Sequence, residues 1–91
     1  MMVARVIGNV WATRKEESLR GYKLLVVRQV DERAQMVGEP LVAVDLIGAG
    51  VGELVLVTTG SSARKIQSGE ESPIDAAVVG IVDSMDVELS R

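Results

Sequence analysis

The sequence predicts an all-β fold, a five-stranded OB-like barrel with one short helix. Apolar residues make up 47% of the 91 residues, whereas aromatic residues make up only 2%. Val, Ile, Leu and Ala supply the apolar side chains, and the branched Val and Ile favour strands. Turn-forming residues recur roughly every 10–15 residues, as in small barrels and sandwiches. This length suits one domain that spans residues 1–91, and OB barrels have this set of elements.

The first predicted strand covers residues 3–13 and contains a glycine near its middle. Val6 and Val10 alternate with polar neighbours, which is typical of a strand with one buried face. Gly8 interrupts this alternation, and a glycine inside a strand predicts a bulge or a sharp bend. The charged stretch that follows, residues 14–20, is predicted to be a loop.

The second predicted strand, residues 22–30, is apolar on both faces. We expect one face to meet the barrel interior and the other a neighbouring subunit. Residues 31–39 are polar and include Gly38, so they predict a hairpin-like excursion. The third strand is predicted at residues 40–47, where Asp45 is expected to point outward.

A glycine-rich loop precedes the fourth predicted strand, residues 53–59, and is the most conspicuous motif. Its glycines do not have the spacing of the dinucleotide-binding fingerprint, and a strand follows it instead of a helix, so we do not expect phosphate binding. The glycines indicate either a tight turn with positive φ or bare backbone that packs closely against symmetry mates around an axis. The loop consists of Gly48, Ala49, Gly50, Val51, Gly52 and Glu53.

A short helix and the last strand are predicted in the remaining third of the chain. Ser61 or Ser62 can cap the helix by accepting a backbone hydrogen bond. Ser62 and Lys65 also match the S-x-x-K spacing of serine acyl enzymes, but the two further motifs of those enzymes are missing. The last strand is predicted at residues 74–85, with a possible bend at Gly80.

The composition excludes several kinds of catalysis. The chain has no Cys and no His, so it lacks a thiol nucleophile and an imidazole base, and a zinc site is not expected. Four carboxylates could pair as general acid and base: Asp45, Glu53, Asp75 and Asp83. The sequence alone does not place any two of them at a useful distance. We therefore expect no catalytic residue, no cofactor and no metal.

The charge and the scarcity of aromatic residues argue against nucleic-acid and membrane partners. The net charge is −3, with one Trp and one Tyr, so a basic surface and a set of stacking rings are both missing. No apolar run approaches the roughly 20 residues of a membrane span, and the first residues do not resemble a secretory signal. These features predict a cytoplasmic domain.

Five segments, taken together and in order, resemble the EutN/CcmL family of bacterial microcompartment shell proteins. They are residues 5–15, 19–25, 42–53, 60–64 and 73–83, and they cover nearly the whole chain. Two residues depart from the pattern of that family. Arg5 stands where a small residue is expected, and Trp11 stands where an aliphatic residue is more common.

The resemblance implies a structural protein without enzymatic activity. An OB-like barrel of this family assembles into a disc-like homopentamer, which caps the vertices of polyhedral shells in the bacterial cytoplasm. Hexameric and trimeric shell proteins would meet its edges. By the same analogy we expect residues 48–53 near a five-fold pore, where Glu53 could form a negative ring. We expect a subunit interface at Gly60, Ser61, Ser62, Ala63 and Arg64.

Two other functions stay open at this point. An OB-like barrel could be a small module that binds nucleic acid or an oligosaccharide, and a pair of carboxylates could serve a small enzyme. The particle size in solution separates them. Five chains in one particle support the vertex function, whereas a monomer that binds an oligonucleotide supports the binding module.

Overall fold

Five strands close into a barrel in the computed structural model, which describes residues 1–60 and 74–88. Their order around the barrel is β1-β2-β3-β5-β4. Neighbouring strands are antiparallel, except that β3 and β5 are parallel. This arrangement confirms the predicted barrel; the helix predicted after Ser61 lies outside the described residues. The strands are β1 (Met2–Val10), β2 (Lys23–Gln29), β3 (Leu41–Asp45), β4 (Leu54–Thr59) and β5 (Ala76–Ile81).

A β-bulge interrupts β1 next to Gly8, as the sequence predicts. Val6 pairs with Val27 of β2 and Gly8 pairs with Val26, so Ile7 is an extra residue without a partner. The bulge bends the strand. As a result β1 pairs with β4 along its first half and with β2 along nearly its whole length. Ile7 itself is exposed.

A second irregularity lies next to Gly80 in β5. Leu56 of β4 pairs with Gly80 and the next residue of β4 pairs with Val78, so Val79 is the extra residue. A Cβ at Gly80 would lie 3.4 Å from the Cδ1 atom of Leu56, so a side chain here would press on β4. The strand ends at Ile81 and not at residue 85 as predicted, and the last bond of the segment to β4 is from the Val82 N–H to the Leu54 carbonyl (2.9 Å).

The barrel interior is filled by small and branched aliphatic side chains. All five strands contribute inward-facing residues, and the packing of these residues removes apolar surface from water, which stabilises the fold. Ala49 is the one member of this core that comes from a loop. The buried residues are Ala4, Val6, Leu25, Val27, Ala43, Ala49, Val55, Val57, Ala76 and Val78.

A second, smaller cluster covers part of the outer face of the barrel. Val44 and Ala77 point outward from the parallel pair of strands and are buried with Ile74. Leu19 and Tyr22 pack against them from the segment before β2. Leu24 packs against the same cluster, so part of the second strand's outer face, which the sequence predicts to meet a neighbouring subunit, is covered within one chain.

The segment that supplies Leu19 contains a short 3-10 helix, Glu17–Leu19, where the sequence predicts only loop. Glu16 precedes the helix, and its carboxylate accepts hydrogen bonds from the Ser18 hydroxyl and from the Ser18 backbone N–H. These two bonds favour the ionised form and lower the pKa of Glu16 from its ordinary value. The carboxylate thus fixes the start of the turn that covers the outer face.

The predicted hairpin-like excursion, residues 31–39, is confirmed. The Asp31 carboxylate accepts hydrogen bonds from the backbone N–H groups of Arg33 (2.8 Å) and Gln35 (3.0 Å). Val30 forms an isolated antiparallel bridge with Met36. An aspartate that accepts from its own turn is a common way to close a short loop.

Candidate assembly site

The glycine loop, residues 48–53, closes one end of the barrel. It links the end of β3 to the start of β4, and it is also bonded to β1. The Gly52 N–H donates to the Val6 carbonyl (2.8 Å), and the Val6 N–H donates to the Glu53 carbonyl (3.0 Å). The loop therefore lies beside the bulge at Ile7.

The Asp45 carboxylate holds the first half of the loop through three hydrogen bonds. Its Oδ1 atom accepts hydrogen bonds from the N–H groups of Ile47 (3.0 Å) and Gly48 (2.9 Å), and its Oδ2 atom accepts from Ala49 (3.0 Å). Asp45 is only 9% exposed, so the expectation that it points outward is wrong. Three backbone donors take the place of water around the carboxylate, and this compensates for its burial.

Two cationic side chains hold loop carbonyls. The Arg5 Nη1 atom donates to the Gly52 carbonyl (2.8 Å), and the Lys23 Nζ atom donates to the Ala49 carbonyl (3.2 Å). Both contacts join residues far apart in the chain, so the sequence gives no local sign of them. Arg5 is also one of the two departures from the family pattern, and its structural role is contact with this loop.

The second half of the loop is a tight turn closed by Glu53. The Glu53 N–H donates to the Gly50 carbonyl (3.2 Å), and the Gly50 N–H donates to the Glu53 Oε1 atom (2.6 Å). Gly48 and Gly52 both have φ of +94°, a conformation that strains any residue with a Cβ. The interpretation as a tight turn is confirmed at these two positions.

Gly50 differs from the other two glycines of the loop. It does not have a positive φ, and a Cβ at this position would lie 3.5 Å from the Glu53 Oε1 atom, which is an ordinary contact. One chain alone therefore has room for a small side chain at Gly50. The reason for a glycine here is not found within the single barrel.

The predicted loop residues separate into an anchor and an exposed rim. Ala49 lies in the barrel core, whereas Val51 is 58% exposed. Ile7 and Ile47 are also exposed. Ile7 follows Val6, which is hydrogen-bonded to the loop, and Ile47 directly precedes the loop. These exposed aliphatic side chains are candidates for contact with another protein if they form one continuous patch.

The residues predicted at a subunit interface lie beyond β4. Gly60 is exposed, has φ of +69°, and its N–H donates to the Asp75 carbonyl (2.8 Å). Ser61, Ser62, Ala63 and Arg64 lie outside the described residues, as does Lys65 of the S-x-x-K spacing. The structure therefore places only the first residue of this segment.

The carboxylates that the structure describes do not form a three-ligand metal centre. Asp45 and Glu53 are both engaged by backbone N–H groups of the loop. Within residues 1–60 and 74–88, no three carboxylates come together as a metal site. No helix in the same part of the chain is long and apolar enough to cross a membrane.

These features define a subunit designed for contacts between proteins. The barrel is closed, side chains from three strands hydrogen-bond to the glycine loop, and exposed aliphatic residues lie next to that loop. The charged side chains in and around the loop form hydrogen bonds with the loop's own backbone.

Known proteins of the same kind match the chain over nearly its full length. The family described as "Ethanolamine utilisation protein EutN/carboxysome" matches residues 1–83. The carboxysome shell vertex protein CcmL of Synechococcus elongatus is 49% identical over 97% of this chain and 89% of its own length. The microcompartment shell vertex protein PduN of Salmonella typhimurium is 53% identical over 93% of this chain and 98% of its own length.

A solved structure agrees with the barrel as well. The pentameric microcompartment shell protein GrpN of Rhodospirillum rubrum superimposes with a TM-score of 0.88 at 50% identity, covering 97% of this chain and all of that one. The chain belongs to the EutN/CcmL family and is a shell vertex protein of a bacterial microcompartment.

Proposed function

We propose that five copies of this chain close into a ring that caps a vertex of the shell without making or breaking a covalent bond. A flat layer of hexagonal tiles cannot close on itself, and a pentagon inserted into it forces curvature. Hexameric and trimeric shell proteins would meet the edges of the ring. The pentameric structure of GrpN supports this proposal.

The main support within this chain is the exposed aliphatic surface at the loop end of the barrel. Ile7, Ile47 and Val51 are exposed when the chain is alone, and burial of apolar surface stabilises an interface by about 25 cal/mol per Å². A ring requires two different surfaces on each copy, which meet head to tail until the ring closes. The loop end would supply one of them.

The glycine loop would face the five-fold axis. Gly50, Val51, Gly52 and Glu53 would form the rim near the pore, while Ala49 and Gly48 anchor the loop to its own barrel. The spare room at Gly50 supports this orientation, since a glycine allows neighbouring backbones to approach closely. Five copies of Glu53 would place a ring of negative charge at or beneath the pore.

Val51→Asp is expected to prevent ring closure. Five carboxylates would be brought close together near the axis, and each would replace an apolar contact. Static light scattering and native mass spectrometry should find single chains in place of a five-chain particle, while circular dichroism keeps its β signature. Val37→Asp is the matched control, because Val37 is an exposed valine on the excursion away from the loop.

Two outcomes contradict the proposal at this point. A Val51→Asp variant that still forms five-chain particles shows that the loop does not face the axis. A parent chain that stays monomeric and binds an oligonucleotide shows that the barrel is a binding module.

Residues 60–64 would contribute to the interface between neighbours, with Arg64 paired with a carboxylate across it. Arg64→Ala is expected to weaken association at least about tenfold, because it leaves the partner carboxylate without its cation. The measurement is the concentration at which the particle dissociates, together with its melting temperature. Arg33→Ala, in the excursion, is the control; equal behaviour of the two variants rules out this role for Arg64.

A further inference from the structure

The only Trp and the only Tyr of the chain line the same groove. The groove has a volume of about 260 Å³ and lies between the end of β1 and the start of β2. Trp11 is 86% exposed, and a ring of this size left in water is a strong candidate for contact with another molecule. Within residues 1–60 and 74–88, no residue covers this ring.

Two lysines border the groove. Lys15 and Lys23 are among its lining residues, and the described residues that line it include no carboxylate. Lys23 gives one hydrogen bond to the Ala49 carbonyl, and an ammonium group has two further donors.

The acidic residues that follow Lys15 in the chain leave the groove basic. The Glu16 carboxylate accepts from Ser18, and the Glu17 carboxylate pairs with Arg20 at 3.0 Å. The groove is therefore lined by both aromatic and cationic side chains.

The segment after β5 has the complementary character. The Val82 N–H donates to the Leu54 carbonyl (2.9 Å), and no helix or strand follows within residues 82–88. Asp83, Asp86 and Glu88 are exposed, and residues 82–88 contain no Lys or Arg.

The apolar residues of this segment alternate with its charges. In an extended chain successive side chains point to opposite sides, so Met85 and Val87 share one side while Asp86 and Glu88 share the other. Val87 is 44% exposed. Over residues 85–88 one side would therefore be apolar and the other negative, while Asp83 lies on the side of Met85 and Val87.

We infer that the groove of one copy binds residues 82–88 of the neighbouring copy in the ring. Met85 and Val87 pack on Trp11 and Tyr22, since thioether and aliphatic groups contact aromatic rings favourably. The carboxylates of Asp86 and Glu88 form ion pairs with the ammonium groups of Lys15 and Lys23, because opposite charges attract.

The occupant is a second copy because the chain's own segment leaves the groove open. Both partners are present in one structure, yet Trp11 and Val87 are both exposed there. Each copy has one groove and one segment, and such a pair repeats head to tail around a closed ring. The inference rests on the ring proposed above and adds a specific contact to it.

The test uses the fluorescence of the full-length chain, because every tryptophan signal comes from Trp11. In the five-chain particle we expect blue-shifted emission and weak quenching by acrylamide. The double variant Asp86→Lys/Glu88→Lys should shift the emission to the red and raise the quenching constant several-fold. Glu32→Lys/Glu39→Lys makes the same charge change in the excursion and should leave both signals as in the parent.

A reciprocal substitution identifies the partner of the segment. Lys15→Glu should expose Trp11 in the same way, and combining it with Asp86→Lys/Glu88→Lys should restore the blue-shifted emission. Light scattering on each sample gives the particle size. Five-chain particles with the same Trp11 signals in every variant overturn the inference and leave the ring intact. Single chains in the parent overturn the ring itself.

Discussion

Asp45→Ala is expected to lower the free energy of unfolding by about 3–5 kcal/mol. The substitution leaves the N–H groups of Ile47, Gly48 and Ala49 without their acceptor. Asp45 is buried, so water does not replace the carboxylate without rearrangement of the loop. The residue is therefore both a part of the barrel and the support of the surface that we place at the axis.

Urea denaturation at one fixed protein concentration measures this effect, since association also contributes to stability. Asp31→Ala is the matched control: Asp31 accepts two backbone hydrogen bonds in the excursion, and its loss should cost about 1 kcal/mol because the site is more accessible to water. Asp45→Ala should also reduce the five-chain particle, whereas Asp31→Ala should not. Equal costs for both variants would show that the Asp45 bonds to the loop are dispensable.

Leu25→Ala is expected to lower the free energy of unfolding by about 2–5 kcal/mol. The substitution removes buried apolar surface and leaves a cavity in the core. Leu25 is among the largest of the fully buried side chains and lies in the main core. Strands surround this core on all sides. Because each strand is hydrogen-bonded to its two neighbours, the strands do not readily move inward to fill the cavity.

Thermal and urea denaturation measure this second effect. Met36→Ala removes a side chain of similar size from an exposed position and should change the stability by less than about 0.5 kcal/mol. A small loss for Leu25→Ala would show that the interior repacks freely, which contradicts a tightly filled barrel.

The parts of the fold that the sequence predicts are those with a local pattern. Alternating aliphatic residues predict the strands, and Gly8 predicts the bulge, since both depend on the residues immediately around them. The sequence also predicts the glycine loop as a tight turn, because positive φ strongly favours glycine. The family resemblance supplies the ring, which no local pattern indicates.

The parts that the sequence does not predict depend on distant contacts. A carboxylate near the end of a strand is usually exposed, so Asp45 is expected to point outward until the folded loop supplies three donors to it. Arg5 and Lys23 reach the loop from β1 and β2, and their sequence neighbours give no sign of it. Ala49 enters the core for the same reason, because only the closed barrel determines which way the loop turns.

Closure of the barrel has a consequence for newly made chains waiting to assemble. Each of the five strands has a neighbour on both sides, so the sheet has no free edge onto which another chain could add a strand. Strand addition at a free edge is one route by which β-proteins aggregate. Association must then proceed through side chains and loops, and the rotation between neighbouring copies decides whether their head-to-tail contacts close into a ring.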